Sequence, residues 1–127
     1  VVHSDRAPRA VGPYSQAVKL PTGLVFLSGS VGLDPATGSL VPGGVEAQAL
    51  QALQNMHAIV QAAGGGLGSV VKTLVLLADM GDYAKVNKVY ADFFAQQGVA
   101  SFPARSAFAV SALPLGALVE IEAVAAL

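Results

Sequence analysis

Four polar residues that stand in apolar stretches of the sequence could take part in chemistry: Arg105, Glu120, Glu122 and Tyr14. An arginine guanidinium binds a planar carboxylate through two parallel hydrogen bonds, a glutamate can activate water, and a tyrosine offers a hydroxyl. Each residue also has a structural interpretation: an ion pair to a strand carboxylate for Arg105, a core-edge aromatic for Tyr14, and a solvated strand face for Glu120 with Glu122. Position alone favours these structural interpretations.

Other candidate motifs do not fit a defined chemistry. The glycine-rich segment at residues 64–69 follows a predicted helix and precedes a predicted strand, the reverse of the order in phosphate-binding loops, and Gly-Lys-Ser/Thr is absent. His3 and His57 have no carboxylate or second histidine at ligand spacing, so we expect no metal site. The serines have no evident base partner, Gly-x-Ser-x-Gly is absent, and the chain has no cysteine.

The composition excludes several classes of protein. The 127 residues are 54% hydrophobic and 12% charged, which is too apolar for a disordered chain and fits one domain spanning residues 1–127. A formal net charge of −1 argues against a nucleic-acid binder. No apolar run approaches the roughly 20 residues of a membrane helix, and the early charges and prolines do not form a secretory signal. We therefore expect a cytoplasmic protein with no membrane partner.

Hydrophobic periodicity predicts seven elements. The predicted strands cover residues 17–20, 24–29, 70–78, 105–112 and 118–126, and the predicted helices cover residues 46–63 and 79–97. This order is typical of an α+β sandwich in which two helices pack on one face of a sheet. The other face is also apolar, so we expect a second copy of the chain to cover it. Small residues would permit close approach there: Ala107, Ala109, Ala123 and Ala125.

The distance between Arg105 and Glu120 depends on how the last two strands pair. If they form a hairpin that turns near Leu115 and Gly116, Glu120 lies opposite residue 111. At ~3.4 Å per residue, Arg105 and Glu120 of one chain would then be about 20 Å apart. They would act together only across a subunit interface, or if the strand pairing is offset.

Spaced motifs along the chain occur in the order typical of one protein family. They are Ala7-Pro8, Gly12-Pro13-Tyr14-Ser15-Gln16-Ala17, Phe26-Leu27-Ser28-Gly29, Asp34-Pro35 with Thr37-Gly38, Val71-Lys72-Thr73 through Asp79-Met80, Val86-Asn87-Lys88-Val89-Tyr90 with Phe93-Phe94, Phe102-Pro103-Ala104-Arg105-Ser106 and Glu120-Ile121-Glu122-Ala123. On these motifs the chain resembles the Rid (YjgF) family of reactive-intermediate deaminases, of the RidA type, nearly from end to end.

The resemblance implies a chorismate-mutase-like fold, with two helices on one mixed sheet. It further implies a homotrimer whose sheets face the trimer core and whose sites lie between subunits. The implied reaction is the cofactor-independent hydrolysis of 2-imino or enamino acids, such as 2-iminopropanoate, to 2-oxo acids and ammonia. Two alternatives stay open: a non-catalytic trimer that binds small carboxylates or protects proteins, and an endoribonuclease or translation inhibitor. The near-neutral charge and the absence of a His/Lys cluster count against the second alternative.

The resemblance also implies roles for the catalytic residues. Arg105 would bind the substrate carboxylate, and Glu120 would orient or activate the attacking water. Tyr14 would complete an apolar wall of the substrate site and offer its hydroxyl to the substrate.

The implied substrate-binding positions are Gly29, Ser28, Asn87 and Ala107. The N–H of Gly29 would bind the carboxylate or the developing charge, and its lack of a Cβ would let the substrate approach. Two positions depart from the family pattern: Ala107 stands where many members have cysteine, and Ser30 stands where glutamine is frequent. We expect both departures to alter substrate preference or rate before they abolish the chemistry.

Overall fold

The backbone forms the seven predicted elements in the predicted order. In the computed structural model, which describes residues 1–127, the strands are β1 (Ala17–Lys19), β2 (Leu24–Val31), β3 (Val70–Leu77), β4 (Ala104–Ala109) and β5 (Val119–Ala126), and the helices are α1 (Gly44–Ala62) and α2 (Tyr83–Gln96). Short 3-10 turns lie at Leu67–Ser69, Met80–Asp82 and Pro114–Gly116. Neither α1 nor α2 combines the length and the apolar character that a bilayer crossing requires.

Helix α1 is amphipathic because its apolar side chains recur every three or four residues. Leu53, Met56 and Val60 are completely buried on that face. The helix ends where Gly64 takes a left-handed φ of 102° and the N–H of Gly65 donates to the carbonyl of Val60. The glycine-rich segment therefore terminates a helix.

The five strands form one mixed sheet in the order β1-β2-β5-β3-β4. Strands β3 and β4 are parallel and are joined by α2, whereas all other neighbours are antiparallel. The predicted hairpin of the last two strands is therefore wrong, because β3 lies between them. The crossover through α2 places β4 at the outer edge, and the connection from Ala109 to Val119 returns the chain to the centre of the sheet.

The two helices cover one face of the sheet and leave the other face open. Residues that pair directly across two strands share a face. Val75 and Ile121 form such a pair beneath the helices and are almost completely buried. On the open face, Phe26 and Phe108 are each 47% exposed. The open face is therefore mixed, because these exposed apolar side chains share it with Lys72, Glu120 and Glu122, and the prediction of an apolar face is confirmed only in part.

The small residues predicted for the open face lie on the other one. Ala123 and Ala125 are at most 2% exposed beneath the helices, and Ala107 and Ala109 pair with β3 residues that are buried there. The reason is the strict alternation of β5, in which every second residue from Val119 points toward the helices. The interpretation of these alanines as contact points for a second copy is wrong.

Candidate active site

All of the predicted site residues except Ala107 fall into two separate clefts. The first, the Glu120 cleft, has a volume of about 510 Å³, and its lining includes Tyr14, Ser28, Gly29, Glu120 and Glu122. The second, the Arg105 cleft, has a volume of about 320 Å³ and is lined by Asn87, Tyr90, Ala91, Phe102, Pro103 and Arg105. No three His, Asp or Glu side chains lie close enough together to hold a metal ion.

A β-bulge in β2 shapes the Glu120 cleft. The pairing of β2 with β5 shifts between Leu27 and Ser30, so Ser28 and Gly29 lie at a break in the regular ladder. A Cβ atom added to Gly29 would lie 2.7 Å from Cδ of Glu120. A side chain at this position would displace the Glu120 carboxylate, which packs directly over the Gly29 backbone.

The Glu120 carboxylate is half-buried and forms no ion pair within the chain. Burial raises the pKa of the Glu120 carboxyl above its ordinary value, and the negative charge of Glu122 adds to the rise. A raised pKa makes the ionised carboxylate a stronger base near neutral pH. Glu120 is therefore suited to exchange a proton with a ligand in this cleft.

Tyr14 and Ser28 are both tied to the loop that precedes β1. The Tyr14 hydroxyl accepts a hydrogen bond of 3.4 Å from the N–H of Val11, and Oγ of Ser28 donates to the carbonyl of Ser15 at 2.7 Å. Because the hydroxyl proton of Ser28 is already donated to the carbonyl of Ser15, the side chain can offer a ligand only a hydrogen-bond acceptor. The ring of Tyr14, 49% exposed, forms one wall of the Glu120 cleft.

Arg105 is held by aromatic residues and not by a carboxylate. Its Nη2 donates to Oη of Tyr83 at 3.2 Å, and its Cζ lies 5.0 Å from the centroid of the Tyr90 ring. No carboxylate lies within 4.0 Å of the guanidinium, so the ion-pair interpretation is wrong. The reason is the strand register, because Arg105 pairs with Thr73 and faces α2.

Arg105 and Glu120 lie on opposite faces of the sheet. Arg105 is paired with Thr73, which is completely buried beneath α2, whereas Glu120 is paired with Leu76 on the open face. Two strand spacings and three residue steps separate their Cα atoms by roughly 14 Å, less than the hairpin predicts. One chain still cannot bring the two side chains together, because the sheet lies between them.

Of the remaining positions considered in the sequence, Asn87 lines a cleft, whereas Ala107 and Ser30 do not. Asn87 lines the Arg105 cleft. Ala107 packs partly against the core and lines neither cleft. Ser30 is 9% exposed and lines a small cavity of about 60 Å³ next to Gly29. Neither departure from the family pattern therefore lines the Glu120 cleft or the Arg105 cleft.

Sequence reasoning missed the aromatic part of the Arg105 cleft. Tyr83, Asn87 and Tyr90 stand at i, i+4 and i+7, so α2 presents them on one face. The ring of Phe102 lies 6.3 Å from that of Tyr90 and extends this aromatic surface. The helical spacing is visible in the sequence, but the parallel pairing that brings Arg105 over these residues is not.

The fold and the two clefts define an α+β protein in which the Arg105 cleft is suited to a small carboxylate ligand. Residues 4–127 match the sequence profile of the family described as "Endoribonuclease L-PSP", and the chain belongs to this family. This match, together with the deaminase relatives and the YjgF structure described next, confirms the resemblance to the Rid (YjgF) family.

Relatives that match almost the whole chain carry a more specific name. A mouse protein named 2-iminobutanoate/2-iminopropanoate deaminase is 54% identical over 125 residues, which cover 98% of this chain and 89% of the mouse protein. The human protein of the same name is 50% identical over 125 residues, covering 98% of this chain and 88% of its own length.

Solved structures confirm the fold. Escherichia coli TdcF with bound serine superposes with a TM-score of 0.95 at 41% sequence identity, covering 100% of this chain and 98% of TdcF. The E. coli YjgF gene product gives a TM-score of 0.93 at 43% identity, with 98% of this chain and 96% of that chain covered. The prediction of two helices on one mixed sheet is thus confirmed.

Proposed function

We propose that this protein is a 2-iminobutanoate/2-iminopropanoate deaminase, which hydrolyses reactive 2-imino acids to 2-oxo acids and ammonia. The mouse and human relatives of that name support this function across 98% of the chain. The structural observation that carries the proposal is the guanidinium of Arg105, which has no carboxylate partner and lines a cleft of about 320 Å³. Every 2-imino acid has a planar carboxylate that such a guanidinium binds with two hydrogen bonds.

The complete site of this proposal forms between copies of the chain. Its support is the placement of Arg105 and Glu120 on opposite faces of one sheet, together with the exposed Phe26 and Phe108 on the open face. In a closed homotrimer, each copy would contribute Arg105 to one site and Glu120 to the next.

Substrate binding would begin at the carboxylate. Arg105 would fix it from one copy, and the N–H of Gly29 at the β2 bulge would bind it or the developing charge from the other. Tyr14 and Asn87 would line the space around the imine and limit its movement. This arrangement would hold the imine carbon near a water molecule at Glu120, and such positioning contributes much of the rate for an already reactive substrate.

Hydrolysis needs one water molecule and no redox step. The water oxygen bonds to the carbon of the protonated imine, the C=N π electrons move to nitrogen, and Glu120 takes the proton that the water loses. Glu120 then returns this proton to the nitrogen of the carbinolamine. The C–N bond breaks with its electrons on nitrogen, the hydroxyl becomes the carbonyl, and the hydroxyl proton leaves with ammonia as ammonium. The products are the 2-oxo acid and ammonium.

The direct test couples this protein to a pyridoxal-phosphate dehydratase that releases 2-iminopropanoate in the assay. The wild-type protein should accelerate pyruvate release, and Arg105→Ala should lose the acceleration. Arg6→Ala is a matched control, because Arg6 bonds to Gln61 on α1 and lines neither cleft. Full activity of Arg105→Ala would rule out the proposed carboxylate contact.

The same assay separates the alternative functions. Binding of small carboxylates without any acceleration would favour a non-catalytic carboxylate-binding trimer. The description of the family as an endoribonuclease family is the observation that favours testing ribonuclease activity. RNA cleavage that persists through further purification and disappears in Glu120→Gln would support it, although the net charge of −1 counts against RNA binding.

A further inference from the structure

We propose that Tyr83 is a positioning residue for Arg105. In this role its hydroxyl accepts one N–H of the guanidinium and fixes the orientation in which the other N–H groups can reach a ligand. The inference rests on the proposed function, because it takes Arg105 as the residue that binds the substrate carboxylate.

The contacts of Arg105 define how its guanidinium is held. Nη2 donates to Oη of Tyr83 at 3.2 Å, and this is the one hydrogen bond that the Arg105 side chain makes in the chain. The Tyr90 ring supports the guanidinium from one side, with a distance of 5.0 Å from Cζ to the ring centroid. A guanidinium has five N–H donors, so one bond to Tyr83 leaves enough donors for a bidentate carboxylate.

The two tyrosines differ in what else holds them. The Tyr90 ring stacks on Phe94 at 4.7 Å, its hydroxyl shares a buried hydrogen bond of 2.7 Å with Thr73, and the residue is 4% exposed. Tyr90 is therefore a fixed part of the core.

Tyr83, in contrast, is 38% exposed, and its hydroxyl bonds only to Arg105. Removing the hydroxyl of Tyr83 therefore affects Arg105 without removing another contact of the fold.

The chemistry of a phenol suits this role better than that of a carboxylate. An aspartate or glutamate at the position of Tyr83 would also orient Arg105, but its negative charge would compete with the carboxylate of the substrate. The Tyr83 hydroxyl accepts the hydrogen bond while it is neutral, so the positive charge of Arg105 stays available. The strand pairing of Arg105 with Thr73 fixes the backbone of the arginine, and the hydrogen bond to Tyr83 fixes its guanidinium.

The first test compares Tyr83→Phe with Tyr83→Ala. The contact between Arg105 and the carboxylate is present in both the bound substrate and the transition state. Loss of the Tyr83 hydroxyl should therefore raise KM by about threefold to tenfold and change kcat by less than about twofold. The Kd for 2-oxobutanoate, the 2-oxo acid product of 2-iminobutanoate, should rise by the same factor as KM. Tyr83→Phe should show most of this effect at an unchanged melting temperature. If Tyr83→Phe behaves as wild type and only Tyr83→Ala is impaired, the ring has a packing role and the inference is wrong.

The second test is a double-mutant cycle with Arg105→Lys. Lysine keeps the charge but has no planar fork for Tyr83 to orient, so Tyr83→Phe should cause no further loss of 2-oxobutanoate binding in that background. An equal loss in both backgrounds would show that Tyr83 acts independently of Arg105 and would overturn the inference.

Binding and turnover separate this inference from the proposed function. If the wild-type protein binds 2-oxobutanoate through Arg105 but does not hydrolyse imines, the deaminase proposal fails and the Kd values still decide the role of Tyr83. If the wild-type protein neither binds nor hydrolyses, Arg105 is not a carboxylate ligand and the positioning role fails with it.

Discussion

The Arg105 cleft and the Glu120 cleft hold their charged groups in different ways. The guanidinium of Arg105 is fixed by a hydrogen bond to Tyr83 and by the ring of Tyr90. The carboxylate of Glu120 lies over Gly29 without an ion pair, and burial raises the pKa of its carboxyl. A fixed cation suits recognition of a permanent carboxylate, whereas a carboxylate free to gain and lose a proton suits acid-base chemistry.

This difference predicts different kinetic defects for the two clefts. An interaction made equally in the bound substrate and in the transition state changes KM, whereas one needed only for the chemical step changes kcat. Variants of the Arg105 cleft should therefore act mainly on KM and on product binding. Variants of the Glu120 cleft should act mainly on kcat.

The largest expected effect is that of Glu120→Gln. The amide cannot accept the proton of the attacking water, so kcat should fall by about 10²-fold to 10⁴-fold while KM changes little. Steady-state rates of 2-oxo acid release measure both constants. Glu46→Gln, in the first turn of α1 and outside both clefts, is the matched control and should behave as wild type. A Glu120→Gln enzyme that keeps most of its kcat would remove Glu120 from the chemical step.

The next largest effect is that of Arg105→Ala on binding. Loss of the charged, bidentate contact should weaken the binding of 2-oxobutanoate by about 10²-fold to 10³-fold, which calorimetry can measure without turnover. The melting temperature should stay close to that of the wild type, because Arg105 has no ion pair to lose. Unchanged binding together with reduced kcat would reverse the assignment of the two clefts.

A smaller effect is expected for Gly29→Ala. The added Cβ would lie 2.7 Å from Cδ of Glu120, so the flexible carboxylate must move away from the bulge. We expect kcat to fall roughly tenfold to hundredfold, since small displacements of a catalytic group have effects of this size. Gly68→Ala is the matched control, because a Cβ there meets nothing within 4 Å. If Gly29→Ala loses stability but keeps kcat, the glycine is needed for folding and not for placing Glu120.

The smallest effect is a change in the pH profile of Glu122→Gln. The Glu120 carboxylate must be ionised to act as a base, so kcat should rise with pH through its raised pKa. Removing the negative charge of Glu122 relieves repulsion and lowers the pKa of Glu120, although burial, the larger cause of the rise, remains. The acidic limb of the pH profile of kcat should therefore shift to lower pH, and the plateau value of kcat should stay the same. A limb that stays in place would mean that another group controls it.

The sequence predicts the elements of this fold better than it predicts their pairing. Alternation along β5 and the three-to-four-residue spacing in α1 are local patterns, and the structure confirms both elements. The hairpin of the last two strands is wrong because pairing depends on distant segments, and here α2 carries β4 to the far side of β3. That error also hides which residues face Arg105.

The candidate site was predictable only in its residue types. The motifs around Arg105 and Glu120 identify the family, but the bulge that places Gly29 beneath Glu120 depends on a register shift with β5. The aromatic support of Arg105 likewise depends on the parallel register of β4 with β3. Neither register follows from local hydrophobic pattern.

In the proposed function, Arg105 of one copy and Glu120 of another complete one site. The most direct measurement is co-expression of Arg105→Ala and Glu120→Gln chains carrying different tags, followed by purification of mixed assemblies and assay of 2-oxo acid release. Every closed trimer that contains both variants has one site with both wild-type residues, so about one third of the sites in the purified mixed assemblies are intact. We predict that the mixed assemblies regain about this share of the wild-type rate at substrate concentrations near the wild-type KM, where each variant alone is nearly inactive. Mixed assemblies that stay as inactive as the two separate variants would contradict a site shared between copies.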